Sequence, residues 1–186
     1  MKIFFILFGM LIFSPANAQT NVGGAILPNT VSFEGEKLIL NGVGVREKFW
    51  MDMYVGALYL TSKSSDANVI VNSNNPVAIK LYIVSRLIDS SKMISAINEG
   101  FENSTNGNTE FISAEIETFI SYFEEKINKN DVFDLVYIPF KGVLVYKNGT
   151  QKGILPGMDF KKTLFGIWLS EKPVDTKLKQ AMLGEK

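Results

Sequence analysis

The chain has 186 residues, with 19 basic side chains against 19 acidic ones and neither histidine nor cysteine. Those absences exclude zinc, haem and iron–sulfur centres of the usual ligand types, Ser-His-Asp and Cys-His catalysis, and any disulfide. No basic excess is available to neutralise phosphates, so a nucleic-acid partner is not expected, and neither is a metal or cofactor.

In chain order, Lys2, the apolar run Ile3 to Phe13 and the small-x-small site Ala16-Asn17-Ala18 read as a secretory signal peptide over residues 1–18. The run is too short for the ~20 residues that span a bilayer, so no membrane span is expected once the leader is removed. The product is expected to be exported, periplasmic or secreted, with residues 19–186 forming one domain. Thr30 to Phe33 and Lys37 to Leu40 suggest short strands around the turn Glu34-Gly35-Glu36. Residues 49–60 could align Trp50, Tyr54 and Leu58 on a helix, but their aromatic content and flanking glycines favour a buried strand. Ser64 to Pro76 predicts a short helix or turn. The strand after Pro76 puts Val77, Ile79, Leu81 and Ile83 on one face and Ala78, Lys80, Tyr82 and Val84 on the other.

Ser90 or Ser91 can cap a helix with Met93, Ile94, Ile97 and Phe101 at helical spacing. A second amphipathic helix is expected over Ser113 to Ile127, and a strand over Asp131 to Ile138. Asn148-Gly149 is the preferred two-residue turn of a hairpin. Asp159 is placed to cap a helix over Phe160 to Leu169, stopped by Pro173, and a last helix covers Asp175 to Leu183. This order predicts an α+β fold, a mainly antiparallel sheet packed against a layer of helices.

The stretch "NGVGVREKFWMDMYVGALYL", Asn41 to Leu60, carries the chemistry worth testing. A dinucleotide loop would need a glycine at Glu47 and a helix after it, and a phosphate loop would need Gly-Lys-Ser/Thr. Neither is present, so Gly42 and Gly44 instead allow a bulge or the close approach of a neighbouring backbone. Among the 19 basic residues only Arg46 and Arg86 are arginines, the type whose planar fork suits carboxylates and enolates. Arg86, at a strand end, reads as structural. Arg46 either pairs with a nearby acid, Asp52 or Glu47, or faces a ligand. Tyr54 shares its strand parity, whereas Tyr59 lies on the opposite face. Eight residues of continuous strand would hold Arg46 and Tyr54 ~26 Å apart, so they meet only if the chain turns between them, at Glu47-Lys48.

That stretch, with "SRLIDSSKMISAINEGF", "VYKNGTQKGILPGMDFKKTLFGIWLSEKPVD" and "LKQAMLG" in the same order, resembles the secreted bacterial branch of the chalcone isomerase-like family. The resemblance covers nearly all of the chain beyond the leader. It implies an open-faced β-sandwich, a large antiparallel sheet packed on helices. The plant enzymes of that family close a flavanone ring, while other members bind fatty acids in the same cleft. By resemblance Arg46 matches the arginine that steadies a phenolate in the enzymes and holds a carboxylate in the binders. Tyr54 stands where the enzymes have threonine and the fatty-acid binders have tyrosine. Lys92 and Glu99 fall near the enzymes' tyrosine and asparagine, which is different chemistry, so they are weaker ligand-binding candidates and no catalytic residue is assigned.

The leading expectation is therefore a binder of a small amphipathic anion, a fatty acid or similar carboxylate, through Arg46 and Tyr54. One alternative is an intramolecular lyase or isomerase of the chalcone isomerase type, which would draw its acid–base group from Tyr54, Lys92, Glu99 or water. Another is a structural or partner-binding envelope protein with a closed core, in which no ligand-sized void lies beside Arg46.

Overall fold

Turn signals separate runs of β-branched and aromatic residues, and the strands they release join one sheet in the order in which they occur. The structure, a computed structural model, describes residues 19–185; the expected leader lies outside the described residues. β1 (Gln19–Val22) and β2 (Ala25–Pro28) pair as a separate small hairpin. The large sheet runs β3 (Thr30–Phe33), β4 (Glu36–Lys48), β5 (Met51–Leu60), β6 (Val77–Ile83), β7 (Val132–Ile138), β8 (Gly142–Lys147) and β9 (Thr150–Leu155), every neighbour antiparallel. α1 (Ala67–Asn72) bridges β5 and β6. α2 (Ser90–Thr105) and α3 (Ser113–Ser121), joined through a 3-10 turn at Glu110–Ile112, bridge β6 and β7. α4 (Met158–Leu169) and α5 (Thr176–Met182) follow β9. The architecture is the expected α+β class, a large antiparallel sheet under helices.

Alternation along the strands splits the core in two. On β6, Val77, Ile79, Leu81 and Ile83 point to the helices, where Phe101, Phe119, Phe160 and Leu164 complete one cluster. Ala78 and Tyr82 point the other way, with Ala57, Tyr59, Val136 and Leu144, and Ala25 and Leu27 of the β1–β2 hairpin close that face. Burying each large apolar side chain of this kind stabilises the fold by about 1.5–3 kcal/mol. Both sheet faces are covered, which is why β7 and β8 are buried along most of their length.

Several boundaries differ from the expectations, each for a local reason. β4 does not stop at Leu40 but continues through both glycines to Lys48. α2 is capped by Asp89, whose Oδ1 accepts from Lys92 N at 2.9 Å, and not by the following serines. α3 ends at Ser121, short of Ile127. There Tyr122 N and Phe123 N bond carbonyls three residues back, and Phe123 leaves the helical path to stack on Phe133 with ring centroids 4.8 Å apart. Asp159 does not cap α4, whose cap is Gly157, but lies in its first turn, where a carboxylate suits the helix dipole. Lys161 is buried on α4 and donates to the carbonyls of Ile70, Val71 and Ser73 at 2.6–2.9 Å, meeting acceptors that the end of α1 leaves free. Burial pushes its pKa down to about 8, with the charge of Lys162 acting in the same direction.

Candidate functional site

The site begins with a turn. β4 and β5 are joined at Phe49-Trp50, both with positive φ, rather than at Glu47-Lys48. The hairpin brings Arg46 directly opposite Tyr54 in the ladder, so the separation of a continuous strand never arises. A register shift after Arg46 lets Glu47 face Asp52 and Lys48 face Met51.

The glycines act on the same site from a distance. A Cβ at Gly42 would lie 2.1 Å from the Ala181 carbonyl oxygen, and one at Gly44 would lie 2.7 Å from Ala181 Cβ. Only bare backbone lets α5 lie directly on β4, and Asn41 fixes it there by donating to the Met182 carbonyl at 2.9 Å. So seated, the start of α5 meets Arg46. Asp175 caps the helix, accepting from Leu178 N at 3.0 Å through Oδ1, and its Oδ2 accepts from Arg46 Nη1 at 3.1 Å. The pair is mostly enclosed, with side chains 18% and 14% exposed. Arg46 Nη1 also donates to the Glu47 carbonyl. The ion pair expected with Asp52 or Glu47 is therefore made with Asp175, 129 residues further along.

Arg46 is not consumed by this pair. Among the described residues only Nη1 has a protein acceptor, so Nε and Nη2 remain available. Tyr54 is in a similar position. Its hydroxyl accepts from Trp168 Nε1 at 3.0 Å, and its own proton has no acceptor among the described residues. Burial pushes the Tyr54 pKa up to about 12; the Trp168 hydrogen bond and the Arg46 charge partly oppose this, and the Asp175 carboxylate adds to it. The phenol thus stays neutral around pH 7, a hydrogen-bond donor and not a base.

Both residues line a cavity of about 410 Å³ between the sheet and the helices. Its wall is apolar on the sheet side, through Met53, Leu81 and Leu135, and on the helix side, through Ile97, Phe119 and Ile167. This size falls within the ~300–1,000 Å³ of small-molecule sites, which combine such walls with a few placed polar groups. Lys92 and Glu99 line the same cavity but are exposed on its α2 rim, where Lys92 is occupied by the Leu87 carbonyl at 2.8 Å and by Asp89 at 3.6 Å. All four candidates from the sequence thus border one space, two beside the enclosed ion pair and two at the rim. Asp175 and the Tyr54 partner Trp168 were not among them. Trp168 was legible only as an inward-facing helix residue, and Asp175 only as the start of a helix.

Fold and cavity together define an α+β sandwich with an apolar pocket under its helical layer. The chain belongs to the chalcone isomerase-like family, whose model matches residues 19–184. Among solved structures it is similar to a fatty-acid binding protein of Arabidopsis thaliana, AtFAP1, with a TM-score of 0.71 at 15% identity over 89% of this chain and 96% of that one. No curated protein matches it by sequence.

Proposed function

We propose that the cavity binds a fatty acid or similar amphipathic carboxylate, its head group at Arg46 and Tyr54 and its chain along the apolar wall. The observation that carries this reading is the unused fork of Arg46 beside a neutral tyrosine donor, both opening on a ligand-sized apolar space. The similarity to a fatty-acid binding protein supports it further. A charged hydrogen bond contributes about 1.5–3 kcal/mol and each buried methylene about 0.8 kcal/mol, so micromolar affinity follows from a modest acyl chain. Catalysis is the weaker reading, because Tyr54 is held protonated and Lys92 and Glu99 sit at the exposed rim.

Native mass spectrometry and lipid extraction of the purified protein test the proposal. The parent is expected to carry or take up a long-chain fatty acid such as oleate. Arg46→Ala, which also leaves Asp175 uncompensated beside the head group, should bind it at least about tenfold more weakly. A parent that emerges empty and takes up no fatty acid overturns the reading.

Export belongs to the same proposal. Its support is the leader pattern of residues 1–18, a basic start, a short apolar run and a small-x-small cleavage site. N-terminal sequencing of the protein from its native host should begin at Gln19; a retained Met1 would contradict export by cleavage.

A further inference from the structure

Three hairpins of the large sheet turn through paired residues with positive φ: Glu34-Gly35 (52° and 87°), Asn148-Gly149 (52° and 78°) and Phe49-Trp50 (52° and 61°). Such turns favour asparagine, aspartate and glycine, because a bulky side chain is strained in the left-handed region. The first two follow this preference wholly or in part. Phe49-Trp50 departs from it at both positions, and burial offers nothing in return, since Phe49 is 72% exposed and Trp50 97% exposed. Strained positions of this kind cluster at ligand and contact sites. A single exposed aromatic with positive φ also occurs at Phe140 in the β7–β8 turn, but among the described residues only Phe49-Trp50 pairs two of them beside a cavity.

The surroundings say what kind of function. Met51 and Leu87 are also exposed, and with Phe49 they line the cavity where its wall reaches solvent. A polar groove adjoins that opening and shares Ile88 with it; its charged residues are Arg86, Lys126 and Lys129 against Asp89. The rim of the cavity adds Lys48 and Lys92 against Glu99. Glu47 and Asp52 oppose one another across the hairpin and line neither opening. Beside the protruding aromatics the two openings thus carry Lys48, Arg86, Lys92, Lys126 and Lys129 against Asp89 and Glu99. This is a local cationic lining on a chain with equal numbers of acids and bases, while Glu47 and Asp52 keep the hairpin tip itself acidic.

We propose that this end docks on the surface of an anionic lipid bilayer, with Phe49 and Trp50 at head-group depth and the Arg86–Lys126–Lys129 groove on the phosphates. Aromatic rings are favoured at that depth, and basic side chains are drawn to the negative surface. No helix among the described residues is long and apolar enough to cross a membrane, so the contact is peripheral. It also sets the cavity mouth against the lipid. The proposal holds whatever the cavity contains, and its test uses protein with no added ligand.

The test is co-sedimentation with phosphatidylcholine vesicles, with and without phosphatidylglycerol, followed by tryptophan emission. Of the two tryptophans Trp168 is buried, so a blue shift on vesicle addition reports Trp50. The double variant Phe49→Asn, Trp50→Gly installs the residues the turn prefers, and a thermal melt at or above that of the parent verifies its fold. The parent should bind phosphatidylglycerol vesicles, the turn variant should partition at least roughly tenfold less, and Lys126→Glu with Lys129→Glu should lose the preference for anionic lipid. The inference is overturned if the parent stays in the supernatant, if the folded turn variant sediments like the parent, or if neutral and anionic vesicles bind equally. A parent that dimerises through this patch without binding vesicles overturns it in favour of a second copy of the chain.

Discussion

Tyr54 and Tyr59 stand on one strand, five residues apart, and face opposite sides of the sheet. Both phenols are pushed above their ordinary pKa by burial, yet their surroundings differ. The Tyr59 hydroxyl donates to the Pro28 carbonyl at 2.9 Å, within a face closed by the β1–β2 hairpin. Tyr54 borders a cavity, and its hydroxyl is tied only through the acceptor side. One sheet thus carries a packed face whose polar groups satisfy one another, and a face where donors are held ready beside empty space. The first serves stability and the second is free to serve binding.

That contrast can be broken most forcefully at the glycines. Gly42→Ala drives a methyl into the backbone of α5, which must move away from β4 and take Asp175 with it. The variant should lose about 2–4 kcal/mol of stability in chemical denaturation, together with the Arg46–Asp175 pair. Small-to-large changes on the two faces come next. Ala57→Leu, on the packed face, should cost about 1–3 kcal/mol, whereas Ile97→Phe grows into the cavity and should cost under about 1 kcal/mol while lowering fatty-acid uptake. Equal costs for the two would erase the distinction between the faces. Tyr59→Phe leaves the Pro28 carbonyl without its donor and should cost about 1–2 kcal/mol with uptake unchanged.

The smallest effect is one of pH. The Tyr54 phenol titrates near its ordinary value of 10 when unfolded and near 12 when folded. Between those values the folded state holds more protons, so its contribution is complete below pH 10 and is lost as the pH rises toward 12. Tyr54→Phe should flatten that part of the decline, measured by denaturant titration at stepped pH; an unchanged slope would contradict the raised value.

The sequence made one hairpin plain and hid its counterpart. Asn148-Gly149 carries its turn in residue type, whereas Phe49-Trp50 adopts the same kind of backbone with residues that argue against it, so the turn was expected at Glu47-Lys48. Parity along one strand named Tyr54 as the partner of Arg46, but it is the register shift after Arg46, which no local pattern signals, that sets the two opposite each other across the hairpin. α3 was overestimated because a helical pattern continues to Ile127, while stacking on Phe133 takes Phe123 out of the helix. Asp175 was out of reach for another reason. Its meeting with Arg46 depends on α5 lying on Gly42 and Gly44, a contact between distant segments that no local pattern encodes.

The arginine itself offers the most direct measurement. Parent and Arg46→Ala should each be titrated calorimetrically with a long-chain fatty acid and with its methyl ester, which has the same tail and no charge. The parent should prefer the acid by about tenfold or more, the worth of a charged hydrogen bond, and the variant should lose that preference while still binding the ester. A parent that binds acid and ester alike, or a variant that keeps the preference, would contradict a head-group role for Arg46.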